Sequence, residues 1–412
     1  MCYSLLVSFL VEIASRLEDG MTKNDFHERL NWDNCLECGD CLVNCPYMRL
    51  DRESAIAEIK NINRGEPSTV TDRCMSCYAC NAFCQQNAHP YERIHYNWNE
   101  RYRQKGLPAR ASYLMPSRRP NFRQDLAYSA AERALHERWS CTEPPGPTVL
   151  YPGCNLLSIP LLATGAIFEK LPVWGRWDLC CGEMYFRMGL LDPVKRTAET
   201  LTEFYRDKPI DEMVFVCPAG YNMFSHVLPE QFGAEFHFRT AYFTDWFMRE
   251  IEKGSFEIQK QPARGVVMHD SCHARVLGDA FMDRQRTLLS SFGLTIHETE
   301  QNRTHGLCCG VAAACSRYSV VDLIRCGMRQ LLALDAAPGE EAAVYCAGCY
   351  LTLGCMRLVH PFGKRLVHLL EYARQAIGED VERRNTAKSL ALIKGVSTHA
   401  LPAYLDPRRF TL

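Results

Sequence analysis

The chain holds 412 residues, with 47 Lys and Arg against 48 Asp and Glu, 47% hydrophobic residues and 22 cysteines. That length supports two or three domains with buried cores, and a net charge of −1 argues against nucleic-acid binding through a basic excess. The cysteines bunch in tight CxxC and CC arrangements. In a chain this long that points to metal rather than disulfides, and to a compartment that keeps thiols reduced.

Residues 1–24 are expected to form an N-terminal helix or extension. Leu5, Leu6, Phe9, Leu10 and Ile13 fall at helical spacing, but the apolar stretch from Tyr3 to Ala14 carries Ser8 and Glu12 and is too short to span a bilayer. No basic region precedes it, so a secretory signal is not expected. A packed amphipathic helix, or a chain start upstream of the true one at Met21, is the plain reading; a membrane-surface anchor is the alternative. No later stretch approaches a membrane span.

Residues 25–91 carry two dense cysteine runs. Cys35-x2-Cys38-x2-Cys41-x3-Cys45-Pro46 has the spacing of bacterial two-cluster ferredoxins, and Cys74-x2-Cys77-x2-Cys80-x3-Cys84 repeats it with Gln85 in place of proline. Three thiolates within seven residues can curl around one [4Fe–4S] cube, while the fourth cysteine lies beyond that loop and serves the other cluster. Cys35, Cys38, Cys41 and Cys84 are therefore assigned to one cube, and Cys74, Cys77, Cys80 and Cys45 to the other. Structural zinc would favour two CxxC pairs separated by a longer loop. The intervening LDRESAIAEIKNINRGEPST reads as helical, so the segment resembles an α-helical ferredoxin domain.

Residues 92–147 read as a basic, Pro-containing linker: from 92 to 125 there are eight basic residues against three acidic ones, with Pro108, Pro116 and Pro120. Tyr96, Trp98, Tyr102, Tyr113 and Phe122 interleave with the arginines. With a neutral chain, a segment wrapping two domains is expected rather than a nucleic-acid strip. A docking site for a partner subunit is the second reading.

From 148 onward, short apolar runs alternate with helical patterns, as in α/β folds. This part repeats internally. TVLYPG leads to Cys154 and GVVMHDS to Cys272; DLCCG at 178–182 answers GLCCG at 306–310; MVFVCPAG at 213–220 answers AAVYCAGC at 342–349. Cys180 and Cys308 are 128 residues apart, and Cys217 and Cys346 are 129 apart. Two modules are expected, at 148–262 and 263–375, with a C-terminal tail over 376–412 and with cysteines in loops just after strands, where open α/β sheets place ligand-bearing residues.

Cys272, Cys308, Cys309, Cys346 and Cys349 supply five thiolates in the second module. Adjacent cysteines are awkward for one tetrahedral ion and suit a polynuclear site. This pattern resembles the cysteine-rich CCG domain of heterodisulfide reductase B and D subunits. It is similar in layout to the iron–sulfur subunits of glycolate oxidase and anaerobic glycerol-3-phosphate dehydrogenase, and to related subunits of sulfate-reducer membrane complexes and bifurcating benzoyl-CoA reductase complexes. The resemblance runs from about residue 25 to about 370. It implies a noncubane [4Fe–4S] cluster on those five cysteines. In the first module Cys154, Cys180, Cys181 and Cys217 match, but Gly220 replaces the final cysteine, and 25 residues separate Cys154 from Cys180 against 35 in the second module. A different iron–sulfur centre, a zinc site and an empty module kept for packing all remain open there.

His269, Asp270 and His273 bracket Cys272, and His305 precedes the CC pair. Hydrogen bonding to backbone and cluster sulfurs is the plainer role for them, and proton delivery the sharper one. Cys2, Cys141, Cys315, Cys326 and Cys355 have no motif partner. No GxGxxG or Walker motif stands at a strand-to-helix junction, so no nucleotide, nicotinamide or flavin site is expected in the chain.

The expected fold is thus α plus α/β: an α-helical two-cluster ferredoxin domain followed by two pseudo-symmetric α/β CCG modules. The expected function is an iron–sulfur oxidoreductase subunit of anaerobic metabolism. It would relay electrons between the CCG-bound cluster and a flavoprotein dehydrogenase, an electron-transfer flavoprotein or a membrane b-type cytochrome. The alternative is a heterodisulfide or thiol–disulfide reductase with the noncubane cluster as its active site. A cytoplasmic location is expected, reaching the cytoplasmic face of a membrane only through a partner.

Overall fold

A helix needs a start, a stop and a face to bury, and the first long one shows all three. The Asp51 side chain accepts from Ser54 N at 2.8 Å, Gly65 ends the helix at φ 71°, and Ala55, Ile59 and Ile62 form the buried stripe of α1 (Arg52–Arg64). This computed structural model describes residues 23–118, 121–260, 262–381 and 385–412. The expectation for residues 1–24 therefore falls almost wholly outside the described residues, as does Cys2. No helix among the described residues is long and apolar enough to cross a membrane.

Residues 92–147, expected as a linker, hold two long helices and a short one at Phe122–Asp125. Pro90 opens α2 (Pro90–Lys105), and Tyr91, Ile94, His95, Trp98, Asn99 and Tyr102 are buried along one side of it. Their spacing of three and four is helical, while Arg101, Arg103 and Lys105 are exposed and Arg93 is buried against Trp32. The charge of the segment hides this period, and the boundary expected at 91 falls inside the helix. A capping box between Ser129 and Glu132 starts α3 (Ala130–Trp139). Between these helices lies the short strand β1 (Leu107–Pro108).

Two parallel sheets follow. The first has three strands, β2 (Thr148–Tyr151), β3 (Glu212–Phe215) and β4 (Arg239–Tyr242), in that order. The second comprises β5 (Gly265–His269), β6 (Thr295–His297), β7 (Glu341–Val344) and β8 (Arg365–His368), ordered β6-β5-β7-β8. All four residues of β3 and of β7 are buried, as strands covered by crossover helices should be. Each of these central strands opens on a buried glutamate held by arginine: Glu212 lies 2.7 Å from Arg249, and Glu341 lies 2.9 Å from Arg264.

The strand ends position the cysteines. Cys154, Cys217, Cys272 and Cys346 each follow within three residues of the C-terminal ends of β2, β3, β5 and β7, and Cys308–Cys309 precede the helix that leads to α4 (Val320–Ala336). Cys349 lies in α5 (Ala347–Val359). Residues 376–412 are more than a tail. α6 (Asn385–Gly395) packs on α5, where Asn385 and Ser389 side chains face Gly354. β9 (Arg409–Phe410) pairs antiparallel with β1.

Candidate metal centres

The two cysteine runs fold into adjoining sites. Cys35, Cys38, Cys41 and Cys84 line one cavity of about 120 Å³. Gly39 makes this possible: at φ +76° its α-carbon lies so close to α1 that a Cβ would sit 3.0 Å from the Ala55 backbone. Cys38 is exposed and Leu36 is 69% exposed, so this site meets the surface. Burial, with the neighbouring Cys84, Cys35 and Cys38 adding to it, pushes the Cys41 thiol up. Cys74, Cys77, Cys80 and Cys45 form the neighbouring group. Burial and the adjacent Cys77 push Cys45 up to about 11, and Cys80 feels both this group and Cys41.

This inner group is wired into the second α/β unit. Arg187 donates from Nη1 to Ser76 O at 2.5 Å, while its Nη2 lies 3.5 Å from Cys272 Sγ and 2.6 Å from His273 Nε2. Its Nε donates to Glu183 Oε1 at 2.5 Å, and burial, which would raise Glu183, is overridden by this arginine and by His273. Arg275 donates to Cys77 O at 2.6 Å and also to Gly306 O. Cys308 N donates to Tyr47 Oη at 2.7 Å, and Ser316 Oγ to Cys74 O at 3.0 Å.

In the second unit the five cysteines are 2–8% exposed. They form a chain of thiol contacts: Cys272 donates to Cys308, Cys308 to Cys309, and Cys349 to both Cys309 and Cys346. Hydrogen bonds from Cys308 and Cys349 pull Cys309 down to about 5, and those from Cys217 and Cys349 hold Cys346 well below the usual thiol range. Asp270 ties two of the loops together. It accepts from Arg286 at 3.0 and 2.7 Å, from Tyr345 Oη at 2.7 Å, and from Arg303 N just ahead of the CC pair at 3.1 Å. Gly310 explains the glycine after that pair: φ is +104°, and a Cβ would meet Leu323 O at 2.3 Å.

The first unit divides the four cysteines expected together. Cys154 and Cys181 both donate to Cys180, and Arg123 Nη2 lies 3.3 Å from Cys180 Sγ; these hydrogen bonds hold Cys180 well below the usual thiol range. Cys217 turns away. It donates to Cys346 of the second unit and accepts from Asn155 Nδ2 at 3.1 Å. Tyr151 stands in the intervening space, its hydroxyl on Leu179 O at 2.5 Å and its ring 3.5 Å from where a Cβ of residue 220 would lie. A cleft of about 780 Å³ lined by Arg118, Arg123, Arg196 and Tyr185 opens beside Cys180.

His273 lies in the Arg187–Glu183 network, and His305 packs its ring 4.8 Å from Phe83. Of the unmatched cysteines, Cys315 contacts Met184 and feels the charges of Cys308 and Cys272, while Cys355 contacts Ser389 O. Sequence reasoning missed Tyr47, Ser76, Arg123, Asn155, Arg187 and Arg275, all of which act across long stretches of chain.

A tetrahedral ion with metal–sulfur bonds of about 2.3 Å sets its thiolates roughly 3.8 Å apart. Among the described residues, the group of ligand atoms mutually within 4.8 Å is His269, Cys309 and Cys349; the cysteines of the two runs are spread more widely. Around a shared cavity, that spread suits a polynuclear group better than one ion.

No protein-family model matches the chain. The chain is 24% identical over 138 residues to the EtfAB:quinone oxidoreductase of Syntrophomonas wolfei subsp. wolfei, covering 33% of this chain and 18% of that protein. It is 31% identical over 67 residues to one of the subunits of the ferredoxin:CoB-CoM heterodisulfide reductase of Methanosarcina acetivorans, covering 15% of this chain and 27% of that protein. The chain thus spans less than a third of either relative's length. With 22 cysteines, these matches point to the broad class of iron–sulfur oxidoreductases.

Proposed function

We propose that this chain is an electron-relay subunit of an iron–sulfur oxidoreductase. Two [4Fe–4S] cubes, on Cys35, Cys38, Cys41 and Cys84 and on Cys74, Cys77, Cys80 and Cys45, would connect a redox partner to a noncubane [4Fe–4S] centre on Cys272, Cys308, Cys309, Cys346 and Cys349. Bound clusters supply one-electron carriers; the protein sets their order, surroundings and access to solvent.

The observation that carries the reading is the burial that grows from the outer cysteine group to the second unit. The outer group opens at Cys38, the inner group lies against it, and Arg187, Arg275 and Tyr47 join the inner group to the loops of Cys272 and Cys308. Arg187 sets a positive charge beside Cys272 and holds the Ser76 backbone in register with it. Arg275 does the same for Cys77 and Gly306. Entry therefore falls at the exposed outer face, where a flavoprotein or cytochrome partner would dock, and the names of the two relatives agree with a quinone-linked or ferredoxin-linked chain. The alternative, direct reduction of a heterodisulfide at the noncubane centre, is disfavoured by five thiols that are at least nine-tenths buried.

The test is metal content with spectroscopy on protein purified anaerobically. Three [4Fe–4S] centres give about 12 irons per chain, and Cys309→Ala should lower this to about 8 while leaving the two cubane signals intact. A wild-type count near 8 would refute the third centre. Enzyme-like turnover of heterodisulfides by the isolated chain with an artificial donor would refute the relay in favour of the reductase.

A further inference from the structure

His269 ends β5, three residues before Cys272, and is 2% exposed. One of its ring nitrogens lies within 4.8 Å of both Cys309 Sγ and Cys349 Sγ. Its Nε2 is buried and has no hydrogen-bond partner, although buried polar side-chain atoms usually have one. Other histidines near the thiols are engaged differently. His273 Nε2 contacts Arg187 and Glu183. His368 accepts from Leu370 N through Nδ1, and its own unpaired Nε2 belongs to no such group of ligand atoms. A buried imidazole with an unpartnered nitrogen, and with a ring nitrogen within reach of two cysteine sulfurs, is the donor set of a mixed nitrogen–sulfur metal centre.

The internal repeat supplies a comparison within the same chain. Tyr151 stands three residues before Cys154, as His269 stands before Cys272. Tyr151 is satisfied, with its hydroxyl on Leu179 O, and its ring packs against Gly153 and Gly220. The first unit therefore uses this strand end for packing, whereas the second sets beside its cysteines a histidine with an unpartnered nitrogen.

We infer that His269 is a nitrogen ligand of the second-unit centre, alongside Cys309 and Cys349. The inference rests on the iron–sulfur reading of that centre and adds a ligand outside the five cysteines. Its consequence is electronic. A neutral imidazole adds a nitrogen donor to the five thiolates without adding negative charge.

The experiment is pulsed electron paramagnetic resonance on the full-length, cluster-loaded protein, with iron counted in the same sample. Wild-type protein made with 15N-histidine should show a directly coordinated nitrogen whose coupling changes with the label. His269→Gln should lose that coupling while keeping the two cubane signals, and His273→Gln should retain it. A second-centre signal with no strongly coupled histidine nitrogen in the labelled wild type would overturn the inference without any variant having to fold. Persistence of the coupling in His269→Gln would also overturn it. A count of about 8 irons with no second-centre signal would refute the underlying reading instead, so the two failures are distinguishable.

Discussion

Arg187 offers the sharpest test of the proposed wiring. Its side chain is 2% exposed, and Nη2 lies 3.5 Å from Cys272 Sγ. A unit charge at that distance, with an effective dielectric of 20, is worth about 5 kcal/mol to a negative charge on the sulfur. Glu183, 2.5 Å from the same guanidinium, opposes it. Cancelling half leaves about 2.4 kcal/mol, or roughly 100 mV for a one-electron couple. Arg187→Met should therefore shift the midpoint potential of the second-unit centre about 100 mV more negative, since the added electron loses a neighbouring positive charge. The cubane nearest Ser76 should shift in the same direction by less. The assay is a redox titration followed by electron paramagnetic resonance, with iron counted in parallel. Removing one member of a buried pair costs about 3–5 kcal/mol, so Arg187→Lys, which keeps the charge, is the companion. It should retain most of the wild-type potential. An unchanged or raised midpoint in Arg187→Met with full iron content would refute the electrostatic argument.

Two further predictions concern the loops of the same centre. Asp270→Asn removes the carboxylate from an arginine that keeps Glu298 at 2.6 Å, so the expected loss of stability is about 2–3 kcal/mol rather than the full cost of an orphaned charge. Burial would raise Asp270, but Arg286 overrides it and holds the carboxyl below its ordinary 3.8; its stabilisation is present above that value and fades as pH falls through the lower folded one. Denaturation followed across acid pH should show a flatter profile for Asp270→Asn than for wild type. Gly310→Ala forces a left-handed backbone costing about 1–2 kcal/mol, before any clash with Leu323 O is counted. It should release iron from the second-unit centre faster than wild type, and an unchanged release rate would show that the loop has room to relax.

The chemistry of the site is more legible in the sequence than its wiring. Cysteine runs are local signals: three thiols within seven residues curl together whatever the rest of the chain does, and the crossing of Cys84 to the first run follows from the same spacing. The strand ends are readable because Tyr-Pro-Gly-Cys and His-Asp-Ser-Cys each close an apolar run. Arg187, Arg275 and Tyr47 carry no such signal. They reach Cys272, Cys77 and Cys308 across 85, 198 and 261 residues, and nothing local distinguishes them from surface arginines or a core tyrosine. The helix at Pro90–Lys105 is legible in principle, since its buried residues keep helical spacing, but the charge and proline content around it mask that period. The fate of Cys217 is not legible. Its repeat position places it with Cys154, Cys180 and Cys181, but in the structure its thiol donates to Cys346 and accepts from Asn155.

The asymmetry of the two units is open to experiment. Two of the differences between the units bear on the donor set: Tyr151 stands where the second has His269, and Gly220 where it has Cys349. Gly220 can take a larger side chain: no positive φ is required, and the nearest atoms to a Cβ are 3.5 Å away in Tyr151 and 3.6 Å away in Phe215. Tyr151 is costlier to change, because shrinking a buried aromatic side chain loses packing worth a few kcal/mol, at most about 3–5 for full truncation to alanine, and leaves Leu179 O without its donor. The double variant Tyr151→His, Gly220→Cys should therefore be less stable than wild type yet bind more metal. If the two substitutions recreate the donor set, iron should rise from about 12 toward about 16 per chain. The single Gly220→Cys variant should gain little, since the tyrosine ring still separates position 220 from Cys180 and Cys181. A wild-type count already near 16 would show that Cys154, Cys180 and Cys181 hold a centre with Arg123 beside it, and that the tyrosine is no barrier. No gain in a folded double variant would instead place the barrier in Cys217, whose thiol is committed across the unit boundary to Cys346.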